Sequence, residues 1–213
     1  TKVYNEIMTK DFVHLHVHTE YSLLDGLSKI GKLFDHLKEI DMDKIAITDH
    51  GVMYGVIEFY KKAVRENVKP IIGMEAYTTN VDLKERPERG KFKNFHLLLL
   101  AKDKLGYQNL MKLVSLGYLE GFYYRPRIDK EVLAQLSSGL IGLTACLKGE
   151  IPVLLQERRF NDCLKAADTF LNIFGKDNFY LELQGNSIAE QKIVNEGLIK
   201  ISKELNIPLV ATN

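Results

Sequence analysis

Short apolar runs rich in leucine and β-branched residues alternate along the chain with longer stretches in which apolar residues recur every three or four positions. The first pattern fits buried strands and the second fits amphipathic helices. Seven strands are predicted: FVHLHV from Phe12, IAIT from Ile45, PIIGME from Pro70, HLLLL from His96, LIGLT from Leu140, FYLEL from Phe179 and PLVAT from Pro208. Between them, one helical stripe is formed by Leu27, Ile30, Leu33, Phe34, Leu37 and Ile40. A second takes Phe160, Leu164, Ala167, Leu171 and Phe174, and a third takes Ile193, Gly197, Leu198, Ile201 and Leu205. The charged segment from Val81 to Lys93, broken by Pro87 and Gly90, predicts a mobile loop or lid.

Strands in strict alternation with helices build either an open doubly wound sheet or a closed barrel, and both keep their chemistry at the carboxyl ends of the strands. No glycine-rich phosphate-cradling turn follows any of the predicted strands, which removes the usual reason for the open sheet and favours the barrel. With 213 residues and 46% hydrophobic content, the chain reads as a single domain, 1–213. Lysine and arginine (29) nearly balance aspartate and glutamate (28), so any polyanion must be recognised at a local site and not by a global field. Two cysteines make no disulfide framework, and the longest apolar run, Leu97 to Ala101, is far too short to span a bilayer. The expectation is a cytoplasmic protein without membrane contact.

Chemistry gathers first in HLHVHTEYSLLDG, from His14 to Gly26. Side chains alternate faces along a strand, so His14, His16 and His18 are expected to point the same way, and a row of imidazoles needs partners if buried. One or two core histidines bonded to carbonyls would be ordinary. Other ligand types, however, fall at the ends of other predicted strands: Asp49 and His50 in ITDHG, Glu75 in GMEAY and Cys146 in LTACL. Histidine, carboxylate and thiol delivered by four strands to one rim point to divalent metal.

Several residues fit less tidily. His96 opens its run, which in a parallel barrel sets it at the opposite rim. Asp25 precedes a glycine, as turn aspartates do. His36 lies off its helical stripe and reads as exposed, and Cys163 reads as a small apolar filler. The run GFYYRPRID, from Gly121, sets Arg125 and Arg127 among aromatics, a combination suited to holding phosphate and stacking a base, or equally a solvated loop over packed tyrosines.

HVHT followed by DG, then ITDHG, GMEAY and an apolar strand bearing His96, together resemble the polymerase and histidinol phosphatase (PHP) family of metal-dependent phosphoesterases. VIEFYKKA, LGYQNLMKLV and YLEGFYYRPRID are similar to the branch of that family found at the N-terminus of bacterial DNA polymerase III alpha subunits. The resemblance implies a distorted (β/α)7 TIM-like barrel with up to three divalent ions at its rim, zinc first, with manganese or iron as alternatives. It assigns one ion to His16, His18 and Glu75, a second to Glu75, His96 and Cys146, and a third to Asp25 and His50. His14 stands where the family usually has aspartate, which together with Asp49 suggests a supporting position behind the ligands. Cys146 replaces a usual histidine and softens the site toward zinc. The family's closing motif, aspartate, any residue, histidine, would follow Asn213, which implies an N-terminal piece of a longer polymerase chain with two more ligands outside it. The activity implied is 3′–5′ exonuclease proofreading on a single-stranded DNA end, through metal-activated water and no protein nucleophile. Two alternatives stand beside it: a structural module that stabilises the rest of the polymerase chain and docks a separate proofreading exonuclease subunit, and a phosphomonoesterase of the histidinol phosphatase type.

Overall fold

The computed structural model describes residues 12–212 apart from Leu24 and Arg89. Asn213 and the Arg89 position within the charged segment therefore lie outside the described residues. Eight strands form among the described residues: β1 (Lys44–Ile47), β2 (Lys69–Thr79), β3 (Asn94–Ala101), β4 (Phe122–Tyr123), β5 (Arg125–Ile128), β6 (Leu140–Leu143), β7 (Phe179–Gln184) and β8 (Leu209–Thr212). Among the described residues seven helices accompany them: α1 (Ile30–Glu39), α2 (Val56–Glu66), α3 (Lys104–Leu119), α4 (Lys130–Gln135), α5 (Glu150–Gln156), α6 (Phe160–Phe174) and α7 (Ala189–Leu205). Six of the seven predicted strands are present, and β4 and β5 arise inside the GFYYRPRID run. The FVHLHV segment runs beside β1, accepting hydrogen bonds at His14 O from Ala46 N and at Val17 O from Thr48 N, both 2.9 Å. It bends at His16 and is not a regular strand.

The sheet order is β4-β5-β2-β3-β6-β7-β8, with β1 also on β2. The eleven-residue β2 has room for both: Lys69–Ile72 pair with β1, and Gly73–Thr79 pair with β3. Here strict alternation fails. β3 runs antiparallel to β2 and to β6, while β6, β7 and β8 are parallel. The connection through residues 80–93 is too rich in proline, glycine and charge to build a crossover helix, so the chain turns back along its own strand. The amino end of β3 consequently sits beside the carboxyl end of β2, and the difficulty with His96 disappears. Glu75 is also not at a strand end; β2 continues four residues past it.

The sheet curls into an open, distorted barrel. Its outward faces pack on helices: Met74, Leu97, Leu99, Phe179 and Leu181 against α6 and α7 residues such as Ala167, Phe170, Val194 and Ile201, and Ile45 and Ile47 against Phe34 and Phe59. Inside, Leu15, Ala46, Ile71, Leu98, Leu100, Leu143 and Val210 form a separate apolar layer. Gly73 is pressed into this wall, where a Cβ would lie 2.4 Å from Leu99 O. The third predicted stripe holds at Leu198, Ile201 and Leu205 and departs only at its first residue. Val194 is buried and Ile193 is 58% exposed, because one residue rotates a helix face by about 100°. Leu27, 94% exposed, precedes α1 and does not join its buried face.

The segment expected to be a free lid is pinned. Arg127, fully buried, donates to Gly121 O, Leu83 O and Glu85 O, and Arg86 donates to Leu83 O and Glu120 O. Leu83 is buried, and its N–H donates to Asp129 Oδ2. Arg127 thus belongs to the framework of this loop, its guanidinium committed to backbone carbonyls and stacked near Phe92 and Tyr123, and not to an open phosphate-binding surface.

Candidate metal centre

Four imidazoles converge on one carboxylate. Glu75 is completely buried on the inner face of β2. Its Oε1 lies 3.3 Å from His16 Nε2 and 2.9 Å from His96 Nδ1; its Oε2 lies 3.3 Å from His18 Nε2 and 2.8 Å from His50 Nδ1. Cys146, in the turn after β6, brings Sγ to 3.5 Å from both Glu75 Oε1 and His96 Nδ1. On the open side, Asp25 Oδ2 lies 3.2 Å from His50 Nε2. Seven residues predicted as ligands therefore meet at one place. His14 does not join them: the bend at His16 breaks the alternation, Leu15 turns into the apolar layer, and the His14 ring stands edge-on to Phe12 at 5.0 Å.

The supporting turns are fixed by short polar contacts. Asp49, buried at the end of β1, accepts from Thr19 N (2.6 Å), Thr19 Oγ1 (2.7 Å) and Ser22 Oγ (2.6 Å), which ties down the turn that carries Asp25. His50 N–H donates to Ser22 Oγ at 3.1 Å. Gly51 follows with φ +62°, where a Cβ would lie 2.9 Å from Pro126 Cγ, so a side chain there would be both strained and blocked.

Two residues outside the predicted set decide the electronics. Glu182 on β7, fully buried, accepts from His16 Nδ1 at 2.7 Å and also from Thr212 Oγ1 and Gln184 Nε2. A proton on His16 Nδ1 leaves the Nε2 lone pair facing Glu75. Ser22 acts likewise on His18: its hydroxyl proton goes to Asp49, so it accepts from His18 Nδ1 (3.2 Å), and the His18 Nε2 lone pair also faces inward. The two Nε2 atoms are 3.1 Å apart. Two lone pairs and a carboxylate at such range repel unless a cation lies among them. In the metal-free protein that cation is a proton: burial alone would lower the His16 ring, but Glu182 and then Glu75 outweigh it and raise its pKa to about 10. Burial likewise would raise Glu75, yet the four histidines hold it well below the usual carboxylate range. Burial, followed by the Glu75 charge, pushes the Cys146 thiol up to about 12.

The donor atoms fit divalent metal. His50 Nδ1 and Glu75 Oε2 approach closely but are misaligned for a hydrogen bond, and both are buried with no hydrogen bond made, as is Glu182 Oε2. Among the described residues, three groups place their ligand atoms within 4.8 Å of one another: His16, His18 and Glu75; His18, Asp25 and His50; and His50, Glu75 and His96. Imidazole nitrogen, carboxylate oxygen and one thiol suit zinc, manganese or iron better than magnesium or calcium. Arg125, the other cation predicted here, is exposed at the edge of the site with its guanidinium 5.4 Å over the Tyr77 ring. His36 is exposed, and Cys163 is buried in α6 among apolar residues.

Sequence relatives match nearly the whole chain. The DNA polymerase III subunit alpha of Borreliella burgdorferi is 52% identical over 204 residues, covering 95% of this chain and 18% of that protein. That of Aquifex aeolicus is 48% identical over 214 residues, covering 96% and 18%. The chain thus spans less than a fifth of the length of these relatives. Among solved structures, an amidohydrolase from Chromobacterium violaceum superposes with a TM-score of 0.58 at 13% identity, covering 94% of this chain and 86% of that one. A candidate metal-dependent phosphoesterase from Bifidobacterium adolescentis superposes with a TM-score of 0.54 at 14% identity and the same coverage. These two likenesses concern the fold. No helix among the described residues is long and apolar enough to cross a membrane. The family model described as PHP domain matches residues 14–186, and with that match the chain belongs to the PHP domain family.

Proposed function

We propose that this domain is a divalent-metal phosphoesterase that hydrolyses the terminal phosphodiester of single-stranded DNA in the 3′–5′ direction, within a DNA polymerase III alpha chain. The observation that carries the reading is the convergence of His16, His18, His50 and His96 on the buried, under-bonded carboxylate of Glu75. His16, His18 and Glu75 would hold one ion, Glu75, His96 and Cys146 a second, and His50 with Asp25 a third. Divalent ions bound there supply Lewis acidity, lowering the pKa of water and neutralising phosphate oxygens. Glu182 and Ser22 keep the His16 and His18 lone pairs turned inward, and Glu75 spans the two inner groups. Asp25 and His50 lie toward solvent, where a phosphate enters, with Arg125 nearby to pair with its charge.

The sequence similarity to DNA polymerase III alpha subunits favours a DNA end as substrate. A second reading rests on the barrel seam. Among the described residues no backbone ladder joins β8 to residues 12–18, and the His16–Glu182 contact crosses this gap. Metal bound to His16 would therefore also staple the barrel, as expected of a structural module that supports the polymerase chain and docks a proofreading subunit. The test uses the full-length protein loaded with zinc or manganese and a 3′-labelled single-stranded oligonucleotide. Shortening of the 3′ end, lost in His50→Ala, is expected. A metal-loaded protein that melts at lower temperature after chelation but never cleaves would leave the structural reading, and faster turnover of phosphomonoesters would favour the phosphatase one.

A further inference from the structure

The metal-ligand cluster opens on one side into a cleft of about 290 Å³, near the lower end of the range for small-ligand sites. Asp25 and His50 belong both to the cleft wall and to the outermost donor group, so a phosphate held at that group has its substituent directed into the cleft. The other walls are aromatic. Tyr77 forms a buried base with the Arg125 guanidinium over its ring. Tyr54 is 59% exposed and Tyr118 37% exposed, and Phe122 backs Tyr118. Large aromatic rings left open beside an arginine and a cation site have a shape suited to a planar ring carried on a phosphate.

From this juxtaposition we propose that the cleft is a nucleoside pocket, in which Tyr54 and Tyr118 hold the terminal base while Arg125 pairs with a phosphate oxygen. The proposal rests on the phosphoesterase reading and adds to it the element that distinguishes a nucleotide from a bare phosphate ester. Recognition through ring faces is tolerant of base identity, since every base has one, and an enzyme removing terminal nucleotides of any sequence requires that tolerance. Arg125, not Arg127, serves the phosphate, because Arg127 is fully buried and donates through Nε and Nη2 to the carbonyls of Gly121, Leu83 and Glu85.

The experiment measures binding of deoxythymidine 5′-monophosphate and of inorganic phosphate to the full-length, zinc-loaded protein by calorimetry, with metal content determined in each variant. The nucleotide is expected to bind about tenfold tighter than phosphate, a typical contribution of one stacked base. Tyr54→Ala and Tyr118→Ala are expected to erase that difference and leave phosphate affinity intact, while Tyr54→Phe retains it. Equal affinity of the two probes in the unmodified protein overturns the pocket and leaves the phosphoesterase reading standing. A preference for the nucleotide that survives both alanine variants also overturns the pocket. Binding of neither probe to the metal-loaded protein overturns both readings.

Discussion

The interior of the curled sheet has two halves built by the same strands. Along β2 the inward positions run Ile71, Gly73, Glu75 and Tyr77; along β3, travelling the other way, they run Leu100, Leu98 and His96; along β7 they include Tyr180 and Glu182. Each strand changes from apolar to ionisable along its length, β2 one step before β3: Glu75 faces Leu98, and His96 faces Tyr77. The apolar half needs nothing but burial, worth about 25 cal/mol per Å², and Leu98 and Leu100 are nearly inaccessible. The ionisable half is different. Its carboxylates and lone pairs are just as deeply buried but repel one another, so it is held together by whichever cation it contains. An apolar layer and a candidate metal layer thus adjoin in one barrel, and a substitution in each should fail in a different way.

The largest difference is expected at Glu75. Glu75→Gln removes the charge that four imidazoles face, and metal affinity should fall by well over a hundredfold, since first-layer ligands matter more than the supporting contacts that cost 10–100-fold. Titration with zinc, followed by melting with and without chelator, checks this; retention of tight zinc binding would contradict the arrangement. In the apolar half, Leu98→Ala should lower stability by about 2–5 kcal/mol through the lost contacts and the cavity. Leu98 stands opposite Glu75 in the β2–β3 register but carries no donor atom, so the stabilisation gained on adding zinc should be close to that of the unmodified protein. A Leu98→Ala variant that loses zinc binding would show the two layers to be coupled.

The upper layer was legible in the sequence wherever a ligand type ended an apolar run, as for His50 and Cys146. The reason is that strand ends are a local property that pattern reveals. His96 resisted because its rim depends on strand direction, and the antiparallel β3 follows from the crossover helix that residues 80–93 fail to form. His14 misled for the opposite reason: regular alternation was assumed through a segment that bends at His16. Glu182 was hidden inside FYLEL, where a charged residue at an inward position of a buried strand was itself the signal. Arg125 and Arg127 look equivalent in sequence, and nothing local foretells that only the second is claimed by carbonyls 42 and 44 positions away.

Glu182 sharpens the comparison at intermediate magnitude. Glu182→Gln retains an acceptor oxygen for His16 Nδ1 but removes the charge, so the imidazole keeps its tautomer and loses basicity. Zinc affinity should fall about 10–100-fold. The companion variant Glu182→Ala should fall further, because the ring is then free to turn. Equal affinities for the two variants would show that charge, and not orientation, is the contribution of Glu182.

The smallest signal is a proton count. His16, with its pKa raised to about 10, is protonated at pH 7 in the metal-free protein, and Cys146, at about 12, is a neutral thiol. The raised His16 value means that its contribution to metal-free stability is complete below 6.5 and is lost as pH climbs through about 10. Metal uptake has the opposite slope, since a ligand must release its proton to bind. Zinc affinity should therefore rise with pH across that window, and binding at pH 7 should liberate about two protons, one from His16 and one from Cys146. Calorimetry in buffers of differing ionisation enthalpy reads this number directly. Cys146→Ser should release one proton fewer, because a serine hydroxyl remains protonated. An unchanged count in that variant would place Cys146 beside the ions and not among their ligands, leaving His16, His18, His50, His96 and Glu75 as the donors that the upper layer requires.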